Sequence, residues 1–222
     1  MPPMSAVVFD LDGTLTDTEH IWDVVRRGLA EAEGLPWPAE ATRAMMGMST
    51  QEWSTYLNEV VGLPGTPKDA ARRTIQGMVA QYEQGLDVLP GAVAAVRRIA
   101  ARWPVGLASS SPRVLIDAAV AAMELAGVFA VTLSSEEIGV GKPAPDVYLE
   151  VSRRLDVDPK RTVAVEDAHN GILSAHAAGM YVVAIPPHFN PPPSQTLALA
   201  DVVLDSLDEL SVELVAGLLE GR

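Results

Sequence analysis

Short apolar runs rich in valine recur along the chain. They alternate with longer stretches in which apolar residues return every three or four positions. The runs Ala6–Phe9, Val105–Ala108, Ala130–Leu133, Thr162–Val165, Tyr181–Ile185 and Asp201–Leu204 are nearly continuous in apolar character. Strands covered on both faces read this way, because neither side of the pleat meets water. Between them Ala92–Arg102, Arg113–Ala126, Asp146–Leu155 and Gly171–Ala178 carry the helical period, with Gly127 and Gly179 placed to end two of the helices. Strand and helix in alternation predict an α/β fold, a parallel sheet with helices on both faces.

From Asp17 to Gln84 the alternation stops. Only helical pattern is found there, in Trp22–Glu33, Ala39–Met46, Thr50–Val61 and Pro67–Gln84. The reading is therefore two units: a sheet domain of residues 1–16 and 88–222, and an inserted helical domain of residues 17–87. The chain returns through Gly85–Gly91, so two hinges join the units, an arrangement that suits a lid. The stretch Pro186–Pro193 holds five prolines and reads as an extended surface loop.

Composition narrows the classes. With 222 residues, 48% of them apolar, the chain is long enough to bury a core and too apolar to be disordered. It has no Cys, which excludes disulfides, thiolate nucleophiles and Cys-based zinc sites. Sixteen Lys and Arg against 29 Asp and Glu give a net charge of −13, which argues against a nucleic-acid partner held through its phosphates. No stretch reaches the roughly 18 apolar residues of a membrane span. Residues Met1–Ser5 leave little room for a signal peptide before the first apolar run, so a cytoplasmic protein is expected.

The sharpest chemical signal is Phe9-Asp10-Leu11-Asp12-Gly13-Thr14, two acids two residues apart at the end of a buried strand. Carboxylates converging there repel one another unless a cation or a shared proton compensates. Taken alone, the same residues also suit an ordinary turn with Gly13 at its bend. The fourth run ends in Glu166-Asp167, again where an open parallel sheet places its ligand, although Asp167 also suits a helix cap. The second run ends in Ser109-Ser110-Ser111-Pro112, hydroxyls at a helix entrance that suit an anion or simple capping. Lys142, one of three lysines beside 13 arginines, sits in Gly141-Lys142-Pro143. Acids, hydroxyls and one ammonium together fit phosphoryl transfer assisted by an oxygen-liganded ion, Mg²⁺ before softer metals.

In this order and spacing Asp10-Leu11-Asp12-Gly13-Thr14, Ser109, Lys142 and Glu166-Asp167 resemble the four motifs of the haloacid dehalogenase superfamily. The insert resembles that superfamily's C1-type helical cap. Within it the chain is similar to the β-phosphoglucomutase-like sugar phosphatases, notably the hexitol and 2-deoxyglucose-6-phosphate phosphatases. The resemblance implies a Rossmann-like core with a cap, and a phosphatase of small phosphorylated sugars or polyols. It implies Asp10 as nucleophile and Asp12 as general acid and base. Mg²⁺ would be held by Asp10, the Asp12 carbonyl and Asp167, with Glu166 supporting its waters. Ser109, Ser110 and Lys142 would bind the phosphoryl oxygens. A monomer acting on a small phosphorylated metabolite is the expectation for the chain's assembly and partner.

Departures from the pattern separate the branches. The halide-displacing members lack a second acid such as Asp12. The phosphonate-cleaving members need a cap lysine, and Lys68, the only one in the insert, reads as exposed at a helix start. In β-phosphoglucomutases a hinge His and a cap Arg grip the second phosphate. Here Trp22 stands at the first position, and Gly47-Met48-Ser49-Thr50 lacks the second, for which Arg43, Arg72 and Arg73 are candidate replacements. His20 reads as a local hydrogen-bonding partner. A phospho-accepting signalling module has similar parts but lacks the insert. Candidates for leaving-group recognition are Glu19 and Trp22, then Met46, Met48 and Trp53, which equally suit a core.

Overall fold

The computed structural model describes residues 5–45, 48–188 and 191–221. Strand β1 (Ala6–Phe9) is followed by four helices of the insert, α1 (Glu19–Ala32), α2 (Ala41–Met45), α3 (Thr50–Glu59) and α4 (Pro67–Gln84). The chain continues through α5 (Ala92–Ala100), β2 (Val105–Ser109), α6 (Arg113–Ala122), β3 (Val131–Ser134), α7 (Asp146–Leu155) and β4 (Thr162–Glu166). It ends with α8 (His169–Ala177), β5 (Tyr181–Ala184), α9 (Ser194–Leu197), β6 (Val202–Val203) and α10 (Val212–Glu220). These six strands pair in parallel, in the order β3-β2-β1-β4-β5-β6.

The apolar runs split by period two between two cores. Val7 and Phe9 face one side with Leu107, Val165 and Val183, under α5, α6 and α10. Ala6 and Val8 face the other with Ala108, Ala164 and Val182, under α7 and α8. Gly106 lets α7 lie directly on β2, since a Cβ there would stand 2.6 Å from Val151 Cγ1. With β1 central, the next turn after Phe9 opens at the carboxyl edge between β2 and β4.

The insert continues the first core, contributing Trp22, Val25, Trp53, Leu57 and Met78. Capping boxes start two of its helices, Ser49 with Glu52 on α3 and Thr66 with Asp69 on α4, where Pro67 opens the first turn. The two crossings run side by side. Thr16 bridges antiparallel to Val88, Asp17 N donates to Asp87 O at 2.8 Å and Leu89 N to Leu15 O at 3.0 Å. Among the described residues no helix is long and apolar enough to cross a membrane.

Some boundaries move from their sequence positions. Helix α6 stops at Ala122 rather than Ala126, with Glu124 taking the left-handed turn (φ 55°) and Leu125 N reaching back to Val120 O at 3.0 Å. Gly127 (φ 77°) bends the following turn instead of ending the helix. Pro112 stands just outside α6, at its N-cap, and Ala168, not Asp167, precedes α8. The last strand shrinks to two residues at the sheet edge.

Candidate active site

Asp10 leaves the end of β1, and Glu166 and Asp167 leave the end of β4, so three acids meet where the two neighbouring strands stop. All three are buried, and one carboxylate oxygen from each lies within 4.8 Å of the others. Lys142 enters from the β3–α7 connection. Its Nζ lies 2.5 Å from Asp10 Oδ1 and 2.7 Å from Glu166 Oε1, and donates to Ala108 O at 3.1 Å. Tyr148, on α7, donates its hydroxyl to Glu166 Oε1 at 2.6 Å. Thr14 Oγ1 donates to Asp167 Oδ1 at 2.9 Å.

Two glycines make room for the acids. At Gly13 (φ 90°) a Cβ would stand 2.2 Å from Asp167 Oδ2, and at Gly171 it would stand 2.0 Å from Glu166 Oε1. Neither acid would keep its place beside a side chain there.

Three carboxylates around one ammonium leave negative charge in excess. Burial, against the pull of Lys142 and with the repulsion of Glu166, pushes Asp10 up to about 8. Burial and then the charge of Asp10 hold Asp167 well above the usual carboxylate range. Burial works against the Lys142 charge, but Asp10 and Glu166 outweigh it and raise that group. Such a cluster is relieved by a divalent cation, and an all-oxygen donor set of this kind suits Mg²⁺. The residues therefore fit that ion.

The carboxylate of Asp12 stands apart from this cluster. It accepts from Thr18 Oγ1 at 2.7 Å, from Ser111 Oγ at 2.7 Å and from Ser109 Oγ at 3.3 Å. Ser109 Oγ also accepts from Ser111 N at 2.9 Å. Ser110, expected to bind phosphate, is exposed at the mouth of the cavity, while Ser111 is buried and carries the contact to Asp12. Asp10 and Asp12 thus line one cavity with their carboxylates differently engaged, one on a cation and one on hydroxyls.

This cavity, of about 140 Å³, lies between the sheet edge and the insert. From the insert it is lined by Glu19, Trp22, Arg26, Met45, Met48 and Trp53. The Trp22 and Trp53 rings stand 5.7 Å apart. Glu19 lies at the exposed rim. Met46 lies outside the described residues, as does Gly47 of the Gly47–Thr50 turn. The arginines offered as replacements do not reach the site. Arg43 is exposed, Arg72 pairs with Asp69 at 3.2 Å and Arg73 with Glu33 at 2.7 Å. Lys68 is exposed, and His20 Nε2 meets Asp87 Oδ2 at 3.2 Å across the hinge. Sequence reasoning missed Tyr148 and Arg26, and named Ser111 among the hydroxyls without giving it the contact to Asp12.

The model of the haloacid dehalogenase-like hydrolase family matches residues 4–179. The bifunctional riboflavin kinase/FMN phosphatase of Arabidopsis thaliana is 32% identical over 212 residues, which is 94% of this chain. The match takes in 55% of that protein, so the chain spans about half of that relative's length. Hexitol phosphatase B of Escherichia coli K12 is 30% identical over 219 residues, covering 96% of each chain. The crystal structure of CbbY from Rhodobacter sphaeroides in complex with phosphate superposes with a TM-score of 0.81 at 28% identity, over 97% of this chain and 99% of that one.

Proposed function

We propose that this chain, which belongs to the haloacid dehalogenase-like hydrolase family and is a phosphoric monoester hydrolase, releases phosphate from small phosphorylated sugars or polyols through an aspartyl phosphate on Asp10. The observation that carries the reading is the pairing of two unlike acids in one cavity. Asp10 is held on Lys142 beside Glu166 and Asp167, and Asp12 on hydroxyls nearby.

An Asp10 carboxylate oxygen attacks phosphorus, and the bond from phosphorus to the ester oxygen breaks. Asp12, protonated, gives its proton to the departing oxygen, which leaves as an alcohol. The same group, now a carboxylate, takes a proton from water as that water attacks phosphorus, freeing phosphate and restoring Asp10. Ser109, Ser110 and Lys142 bind the phosphoryl oxygens, and Ser111 orients Asp12. Asp10, Asp167 and the Asp12 carbonyl would hold Mg²⁺, with Glu166 supporting its waters. When bound, that ion supplies positive charge against the phosphoryl oxygens. The relatives named FMN phosphatase and hexitol phosphatase B support a small phosphorylated substrate.

The test is steady multiple-turnover phosphate release from p-nitrophenyl phosphate with Mg²⁺, then from a panel of sugar and polyol phosphates. A single stoichiometric burst would favour a phospho-accepting signalling module instead. A hexose-phosphate mutase is separated by incubation with β-glucose 1-phosphate and its bisphosphate activator. Glucose 6-phosphate outpacing free phosphate would replace the hydrolase reading.

A further inference from the structure

Helix α1 brings one more charge to the cavity. Glu19, Trp22 and Arg26 follow at spacings of three and four, so they share the face of α1 turned to the acids. Arg26 is only 7% exposed. Its guanidinium carbon lies 4.8 Å from the centroid of the Trp22 ring and 4.9 Å from that of Trp53. Among the described residues its Nε has no hydrogen-bond partner and its guanidinium makes no ion pair. Asp23, three residues earlier on the same helix, is committed to Arg27 Nε at 2.6 Å and to Thr42. Glu19 stays at the exposed rim.

A structural arginine is ordinarily buried with its donors satisfied, because an unmatched buried charge is strongly unfavourable. Two aromatic faces attract the cation but accept none of its in-plane N–H donors. Burial lowers the group to about 10, against the charges of Glu19 and Asp23, so it remains a cation at neutral pH. The stacked rings fix the plane of the fork, as bidentate recognition of an anion requires. Lys142 already serves the other end of the same cavity. The cavity, at about 140 Å³, is small for a ligand pocket, so the leaving group it admits is short.

We propose that Arg26 is a specificity-determining residue that pairs with a second anionic group, a carboxylate or a second phosphate, on a short leaving group. The assignment rests on the phosphatase reading above, and narrows its substrates to phosphomonoesters that keep a negative charge after phosphate is lost. Trp22 and Trp53 position the guanidinium.

The test compares kcat/KM of the full chain with Mg²⁺ for glycerol 3-phosphate, 3-phosphoglycerate and glycerol 1,3-bisphosphate, with p-nitrophenyl phosphate alongside. One or both acidic compounds should exceed the neutral one by roughly tenfold or more, and which of the two leads identifies the anion. In Arg26→Gln the acidic-to-neutral ratio should fall about tenfold, chiefly through KM, and Arg26→Lys should lie between, keeping charge without the fork. A wild-type ratio near one overturns the assignment, as does a ratio unchanged in Arg26→Gln. Should Arg26→Gln fail to fold, the wild-type ratio and Arg26→Lys decide. Release from none of the four compounds overturns the phosphatase reading, and this assignment with it. Release from p-nitrophenyl phosphate without acid preference overturns the role of Arg26 alone.

Discussion

Lys142 and Glu166 share a tight contact of 2.7 Å that Tyr148 completes, while the same ammonium stands 2.5 Å from Asp10. One cation thus ties the ends of β1 and β4 together. Lys142→Met leaves three buried carboxylates with no counter-charge. It should cost roughly 3–5 kcal/mol and lower the melting temperature in metal-free buffer by about 10 °C. An unchanged melting curve would show that the acids do not depend on Lys142.

Asp10→Asn should act the other way on stability. It removes one of the repelling charges, so metal-free melting should stay level or rise, while turnover falls roughly a thousandfold or more. Activity within tenfold of wild type would place the nucleophile elsewhere.

Asp167→Asn removes one donor of the acid cluster. The Mg²⁺ concentration for half-maximal activity should rise at least about tenfold. A superimposable metal titration contradicts the metal assignment.

Two glycine-to-alanine changes should have opposite signs. Gly171→Ala puts a methyl 2.0 Å from Glu166, and should destabilise by about 1–3 kcal/mol while weakening the Mg²⁺ response. Gly28→Ala, in α1 with nothing within 4 Å of the new Cβ, should stabilise by about 0.4–1 kcal/mol. Denaturant unfolding of both reads the contrast directly.

The Ser49 capping box gives a pH-dependent test. Hydrogen bonds from the Ser49 side chain and then its backbone hold Glu52 below its ordinary 4.5. A folded value below the unfolded one means stability that is present above pH 4.5 and lost as pH falls through the folded value. Ser49→Ala should cost about 1 kcal/mol at neutral pH. The deficit should narrow as pH drops from about 5 to about 3, and a constant deficit would remove Glu52 from the cap.

The sheet was legible because burial on both faces writes a continuous apolar run, and the acids because they follow those runs directly. Asp10, Asp12, Lys142, Glu166 and Asp167 all reach the site from three separate stretches of chain. What stayed hidden depends on side-chain direction. Tyr148 sits on the apolar face of α7 and reads as core, although its hydroxyl serves Glu166. Arg26 reads as a solvated helix cation, since nothing local tells that Trp53 will fold over it. Ser110 and Ser111 are indistinguishable in sequence, and only the turn into α6 decides which hydroxyl faces Asp12. Glu124 ends α6 where Gly127 stood ready, because the backbone turned three residues sooner.

The paired crossings at Thr16 and Val88 have a consequence for how this molecule can change. Both ends of a long excursion leave from one pinned point, so the entropy of closing it is nearly independent of what lies between. A foreign helical module that keeps the hydroxyl Thr18 gives to Asp12 could be grafted at that neck and inherit intact bond-breaking machinery. Chimaeras cut there should trade one diet of phosphate esters for another while the sheet folds as before.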